Sequence, residues 1–164
     1  MAEAHTPVPR NPDVHATARR GTVLVVEDRD DVRQGMAQLL ELHGFLVADA
    51  RTGDDALRQL AADPEGFALI LLDLILPGDL SGRDFRMRQL ADPALRAVPT
   101  VMVTVCDRSP GERMALQANE WLEKPFQFDE LLQIVKRHVV SEGSALQAER
   151  SEDAAPTTAI ANQG

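Results

Sequence analysis

The chain has 164 residues, of which 44% are apolar and 26% are charged, so its composition supports a globular core and argues against global disorder. Its net charge of −9 argues against a free-standing nucleic-acid binder. The longest apolar stretch, Phe67 to Leu72, is too short to cross a bilayer, and the N-terminus has no signal-peptide run. The single cysteine, Cys106, excludes an internal disulfide and a multi-cysteine zinc site, and it fits a cytoplasmic protein.

The two ends of the chain differ in composition from its middle. Residues 1–21 contain three prolines, residues 141–164 are mostly small and polar, and neither segment has a hydrophobic period. Because neither carries enough apolar surface to offset its ordering entropy, we expect two unstructured tails, either passive or serving as docking arms. The predicted folded unit is residues 22–140, a typical size for one domain.

Strand-like and helix-like segments alternate through the folded unit. Strand patterns cover residues 22–27, 46–49, 67–73, 99–104 and 120–122. Helical patterns follow them at residues 30–43, 52–61, 82–91, 109–118 and 128–140. Five alternations with short connections predict an α/β fold, a doubly wound parallel sheet covered by helices on both faces.

Polar side chains cluster at the carboxyl ends of these predicted strands, where a doubly wound sheet binds its ligand. They are Glu27, Asp28, Asp73, Thr104 and Lys124. Carboxylates without a histidine or cysteine nearby favour a hard cation such as Mg²⁺. A hydroxyl and an ammonium beside that cation suit a phosphoryl group. Asp73, on the central strand, is therefore the predicted nucleophile that forms an aspartyl-phosphate.

Four motifs in this order resemble the receiver domains of two-component response regulators, the CheY-like superfamily. They are VLVVEDRDD at 23–31, ILLDLILP at 70–77, PTVMVT at 99–104 and WLEKPF at 121–126. The resemblance covers nearly all of residues 22–140. It implies a (βα)₅ three-layer sandwich with sheet order 2-1-3-4-5, like that of flavodoxins.

The resemblance also implies roles for the acidic residues at the carboxyl ends of the predicted strands. Asp73 matches the phosphorylated aspartate of the family. Glu27 and Asp28 match the acidic pair that holds Mg²⁺ together with Asp73, and the backbone carbonyl of Ile75 should complete the protein ligands. The implied cofactor is Mg²⁺.

Three further residues match functional positions of the family, and two of them, Thr104 and Trp121, match its switch. Thr104 matches the hydroxyl that follows the phosphoryl group, and Lys124 matches the lysine that pairs with it. By the same analogy the Lys124–Pro125 bond should be cis. Trp121 matches the aromatic residue that turns inward or outward with the switch, although plain core packing stays open as its role.

The chain also departs from the family's usual pattern. Val105 stands where Ala or Gly is usual, Glu27 replaces the more frequent Asp, and residues 78–81 are one residue longer than the commonest loop. Ile75 and Val105 are apolar and branched, so they cannot orient a hydrolytic water beside Asp73 and should exclude it. We therefore expect a long-lived phosphoryl group.

The predicted function is that of a stand-alone response regulator. A histidine kinase or a phosphotransfer protein would phosphorylate Asp73, and residues 109–139 would then present a changed face to a downstream protein. We expect a signalling domain that catalyses only its own phosphorylation and dephosphorylation and does not bind a membrane. We also expect no direct DNA binding, because too little chain follows residue 140 for an effector domain. Whether two copies form a homodimer stays open.

Other functions compete with this prediction. A haloacid-dehalogenase-type phosphatase would need an aspartate at position 75, where the chain has Ile75. A flavin-binding flavodoxin needs a small, hydroxyl-rich loop after the first strand, where this chain is acidic. A receiver-fold module that acts without phosphorylation is the strongest alternative. Arg83, Arg86 and Arg88 could form a contact surface, but a solvated helix face is the more common role of such residues.

Overall fold

The computed structural model describes residues 21–105 and 108–140, where five strands alternate with five helices. The strands are β1 (Thr22–Val26), β2 (Val47–Ala50), β3 (Phe67–Asp73), β4 (Thr100–Thr104) and β5 (Glu120–Glu123). The helices are α1 (Asp30–Leu42), α2 (Gly53–Ala62), α3 (Gly82–Ala91), α4 (Pro110–Leu116) and α5 (Phe128–His138). Cys106 and both predicted tails, apart from Gly21, lie outside the described residues.

The five strands form one parallel sheet in the order β2-β1-β3-β4-β5, which confirms the predicted fold class and strand order. β3 lies at the centre, and all its residues after Phe67 are buried, as expected of a strand covered on both faces. One apolar cluster packs beneath α1 and α5, and a second packs beneath α2, α3 and α4. The sheet is therefore the middle layer of three, and its carboxyl edge is left for a site.

The predicted bounds of β3 and α3 are confirmed, whereas α4 is shorter than the predicted 109–118. Ser109 lies outside the helix as its N-cap, because its hydroxyl accepts a hydrogen bond from the backbone N–H of Glu112. Gln117 ends the helix in a left-handed conformation with φ 45°. β5 extends one residue beyond the prediction, to Glu123.

The prediction of a solvated helix face is wrong for Arg86, which is only 2% exposed. Its guanidinium donates to the backbone carbonyls of Leu116 at 2.9 Å and Gln117 at 2.7 Å. It also donates to Gln89 Oε1 at 2.6 Å and Thr100 Oγ1 at 2.9 Å. Burial lowers the pKa of Arg86 to about 10, which leaves it charged at neutral pH. Arg86 thus supplies donors to the last carbonyls of α4, which have no partner inside that helix.

None of the helices within residues 21–105 and 108–140 combines the length and the apolar content needed to cross a membrane.

Candidate functional site

Three carboxylates meet at the carboxyl edge of the sheet, as the sequence predicted. Glu27 and Asp28 directly follow β1, and Asp73 ends the neighbouring strand β3. One carboxylate oxygen from each side chain lies within 4.8 Å of the other two. Glu27 and Asp73 are buried, while Asp28 is half-buried, so the cluster opens towards solvent on one side. These oxygens form a donor set that suits a hard divalent cation.

Lys124 joins two of the three carboxylates. Its ammonium lies 2.7 Å from Asp73 Oδ2 and 2.5 Å from Glu27 Oε2. The backbone that carries this ammonium is held to β4, because the N–H of Lys124 donates to the carbonyl of Thr104 at 2.8 Å. The Lys124–Pro125 bond is cis, as predicted. The cluster therefore holds three acidic groups against one ammonium and stays net negative when all are charged.

Glu27, which is buried, and Lys124, which is half-buried, both have shifted pKa values. Burial raises the pKa of Glu27 above its ordinary value, against the opposing hydrogen bond from Lys124. Burial alone would lower the pKa of Lys124, but its hydrogen bonds to Asp73 and Glu27 outweigh that effect and raise the pKa. Lys124 is therefore a fixed positive charge beside Asp73 at neutral pH.

The turn between β3 and α3 places the carboxylate of Asp73. Asp73 Oδ1 accepts a hydrogen bond of 2.8 Å from the backbone N–H of Ile75. Gly82 begins α3 directly against this turn, and a Cβ on it would lie only 2.1 Å from the carbonyl oxygen of Asp73. Only glycine fits this close approach. Sequence reasoning missed Gly82, because a glycine at a helix start carries no sign of what packs against it.

A second residue that sequence reasoning missed, Arg33, secures the end of β1. Arg33 is 6% exposed and donates to the carbonyl of Glu27 at 3.0 Å. The same guanidinium pairs with Asp49 at 2.7 Å and with Asp30. The backbone N–H of Arg29 in turn donates to Glu27 Oε1 at 3.1 Å. These contacts hold both the backbone and the carboxylate of Glu27.

The predicted switch residues lie on β4, which neighbours β3, and on β5, the edge strand beyond β4. Thr104 is fully buried at the end of β4. Trp121, in β5, is half-buried against the apolar cluster beneath α4. Ile75 and Val105 follow the ends of β3 and β4, and these residues are 53% and 59% exposed. The roles of these four side chains, and the use of the Ile75 carbonyl as a metal ligand, stay predictions.

Comparison with known proteins agrees with this geometry. The family model of the response regulator receiver domain matches residues 23–136. The uncharacterized transcriptional regulatory protein YkoG of Bacillus subtilis is 32% identical over 127 residues, which are 76% of this chain and 54% of that protein. The phosphate regulon transcriptional regulatory protein PhoB of Escherichia coli is 35% identical over 122 residues, or 73% of this chain and 51% of that protein. The chain thus spans about half the length of these curated relatives.

Solved structures share the fold as well. The chemotaxis protein CheY4 of Vibrio cholerae matches with a TM-score of 0.65 and 28% identity, covering 74% of this chain and 100% of that one. The response regulator TrrA of Thermotoga maritima, solved in complex with Mg²⁺-BeF, matches with a TM-score of 0.63 and 26% identity. That match covers 73% of this chain and 99% of the other.

Proposed function

The chain belongs to the response regulator receiver domain family, and from that premise we propose that Asp73 accepts a phosphoryl group from a histidine kinase or a phosphotransfer protein. One observation carries the proposal: at a single sheet edge, Asp73 meets two further carboxylates and the ammonium of Lys124. A strand-end aspartate alone is a common turn residue. An aspartate within hydrogen-bonding distance of a half-buried lysine and beside an acidic pair has the surroundings that phosphoryl transfer needs.

The donor set of Glu27, Asp28 and Asp73 fits Mg²⁺, since it offers only carboxylate oxygens within 4.8 Å of one another. Bound there, Mg²⁺ would neutralise charge on the phosphoryl oxygens during transfer. A carboxylate oxygen of Asp73 attacks the phosphorus as the bond from phosphorus to the donor's histidine nitrogen breaks. Lys124, already paired with Asp73, is then available to a phosphoryl oxygen.

The proposed output runs through residues 109–139, which include α4, β5 and α5. Thr104, at the end of β4, would follow the phosphoryl group, and Trp121 would respond to the movement of Thr104. In this proposal the domain catalyses only its own phosphorylation and dephosphorylation. The curated relatives are longer and are named as transcriptional regulators, so output through a protein partner without direct DNA contact is a part of the proposal that needs its own test.

The decisive experiment is incubation with acetyl phosphate and Mg²⁺, read by intact mass. We expect one added phosphoryl group on the wild-type protein and none on Asp73→Asn. Asp54→Asn, a change at an exposed acidic residue in the first turn of α2, is the matched control and should be labelled normally. Undiminished labelling of Asp73→Asn would show that another residue is the acceptor. A wild-type protein that no phosphodonor labels, a phosphohistidine donor included, would favour the interaction module.

The metal site has a separate test that needs no phosphodonor. Trp121 is the single tryptophan of the chain, so its emission reports Mg²⁺ binding in a titration. We expect Asp28→Asn to weaken Mg²⁺ binding at least severalfold, because it removes one of three charged ligands. Equal Mg²⁺ affinity in the variant and the wild type would contradict the proposed ligand set.

A further inference from the structure

Arg113, on α4, contacts two residues of β5 with one side chain. Its guanidinium carbon lies 4.7 Å from the centroid of the Trp121 ring, within the range of a cation–π interaction. Its Nη2 donates to Glu123 Oε1 at 3.1 Å. Trp121 and Glu123 are two residues apart in a strand and therefore project from the same face of the sheet. One arginine thus bridges α4 to the face of β5 that carries the tryptophan.

The Trp121 ring is held between this guanidinium and the protein interior. It packs against the apolar cluster that contains Leu116 and Met102, and Arg113 covers the ring from α4. The Arg113 side chain is 20% exposed, so its interaction with the ring is partly shielded from water. A large rotation of the ring would therefore have to break the stacking with Arg113.

α4 keeps Arg113 in place because the helix is secured at both ends. Ser109 and Glu112 form a capping box at its start. At its other end, the buried Arg86 donates to the carbonyls of Leu116 and Gln117. A helix of seven residues anchored in this way has little freedom to carry Arg113 away from the ring while the rest of the domain stays unchanged.

We propose that Arg113 is a positioning residue that latches Trp121 in its resting arrangement and so sets how readily the domain responds to phosphorylation of Asp73. The inference rests on the proposed function and adds its regulation. The stacking on Trp121 and the ion pair with Glu123 both stabilise the resting arrangement. The conformational change that follows phosphorylation has to break one or both of these contacts. Loss of a partly exposed cation–π contact corresponds to a change of about two- to fivefold in such an equilibrium.

The test compares Arg113→Gln with the wild type by two readouts. The first is acrylamide quenching of Trp121 emission in the unmodified protein, which should rise because the ring loses its cover. The second is a titration with beryllofluoride in the presence of Mg²⁺, which together mimic phosphorylated Asp73, followed by Trp121 emission. The beryllofluoride concentration at the midpoint should fall about two- to fivefold. Arg113→Lys keeps the charge but not the planar stacking group. Its quenching and its midpoint should therefore lie between those of the wild type and those of Arg113→Gln.

Two further variants sharpen the comparison. Glu123→Gln removes the ion pair and keeps the stacking, so it should shift the midpoint less than Arg113→Gln. Arg58→Gln, at an exposed arginine of α2 that pairs with Asp55 of the same helix, is the matched control and should change neither readout.

The results that contradict the role of Arg113 differ from the result that contradicts the proposed function. Arg113→Gln with wild-type quenching and a wild-type midpoint overturns the latch. Raised quenching with an unchanged midpoint shows that Arg113 covers the ring without biasing the response, and it also overturns the latch while the proposed function stands. A wild-type protein that does not respond to beryllofluoride and is labelled by no phosphodonor, a phosphohistidine donor included, overturns the proposed function itself.

Discussion

Replacing Gly82 by alanine tests how the fold positions the phosphoacceptor. Gly82 begins α3, and a Cβ at this position would lie 2.1 Å from the carbonyl oxygen of Asp73 and 2.6 Å from the Cα of Leu74. Real Cβ atoms essentially never approach closer than 3.0 Å, and both obstructing atoms belong to the backbone. The start of α3 and the end of β3 must therefore separate by roughly 1 Å, and Asp73 moves with the backbone that carries it.

The magnitude of the effect follows from two opposing contributions. Forcing a methyl group into a packed position costs about 1–3 kcal/mol. Alanine in place of glycine in a helix returns about 0.5–1 kcal/mol, because it restricts the unfolded chain. We expect Gly82→Ala to lower the free energy of unfolding by about 1–2 kcal/mol. A displacement of roughly 1 Å at a reacting group can slow its reaction about 100-fold, so labelling of Asp73 should slow by one to two orders of magnitude.

Urea unfolding measures the first effect, and the time course of labelling by acetyl phosphate, read by intact mass, measures the second. Gly35→Ala is the matched control, because Gly35 lies inside α1 and a Cβ there meets nothing within 4 Å. That control should gain about 0.5–1 kcal/mol of stability and keep the wild-type labelling rate. If Gly82→Ala is as stable as the wild type and is labelled as fast, the close approach does not position Asp73 and the reasoning is wrong.

Three further predictions concern other parts of the domain. The double variant Ile75→Asn, Val105→Ala should lose its phosphoryl group faster than the wild type in a decay assay by intact mass, because a polar side chain can orient water where two apolar ones exclude it; an equal decay rate contradicts the shielding. Burial raises the pKa of Glu120, but hydrogen bonds from the last two residues of α5 outweigh it and bring the pKa from 4.5 to about 2. The stability that Glu120 contributes is therefore present above pH 4.5 and lost as the pH falls towards 2, so Glu120→Gln should flatten the pH dependence of urea unfolding in that interval; an unchanged slope argues against the ion pair. Arg86→Met should lower the free energy of unfolding by about 2–3 kcal/mol, since it leaves buried acceptors without donors; unchanged stability in urea would mean that the burial of the arginine charge already offsets its hydrogen bonds.

Much of the fold was predictable because its signals are local. The apolar run of β3 and the helical pattern of α3 are contained within their own residues, and the structure confirms both bounds. The acidic site was predictable for a related reason: strands of a parallel sheet end at the same edge, so Glu27, Asp73 and Lys124 were expected at one edge, where the structure brings them into contact. The resemblance added the strand order, which alternation alone does not determine.

Other contacts between distant segments were decided by the tertiary structure alone. Nothing near Arg86 in the sequence indicates burial, because the carbonyl that accepts its hydrogen bond lies 30 residues away on α4. Gly82 is restricted by the backbone of β3, and Arg113 by a ring on β5. Patterns of apolar residues along the chain determine which faces turn inward. Which polar group finds a partner inside, and which glycine cannot carry a side chain, depends on packing geometry that exists only after the layers have assembled.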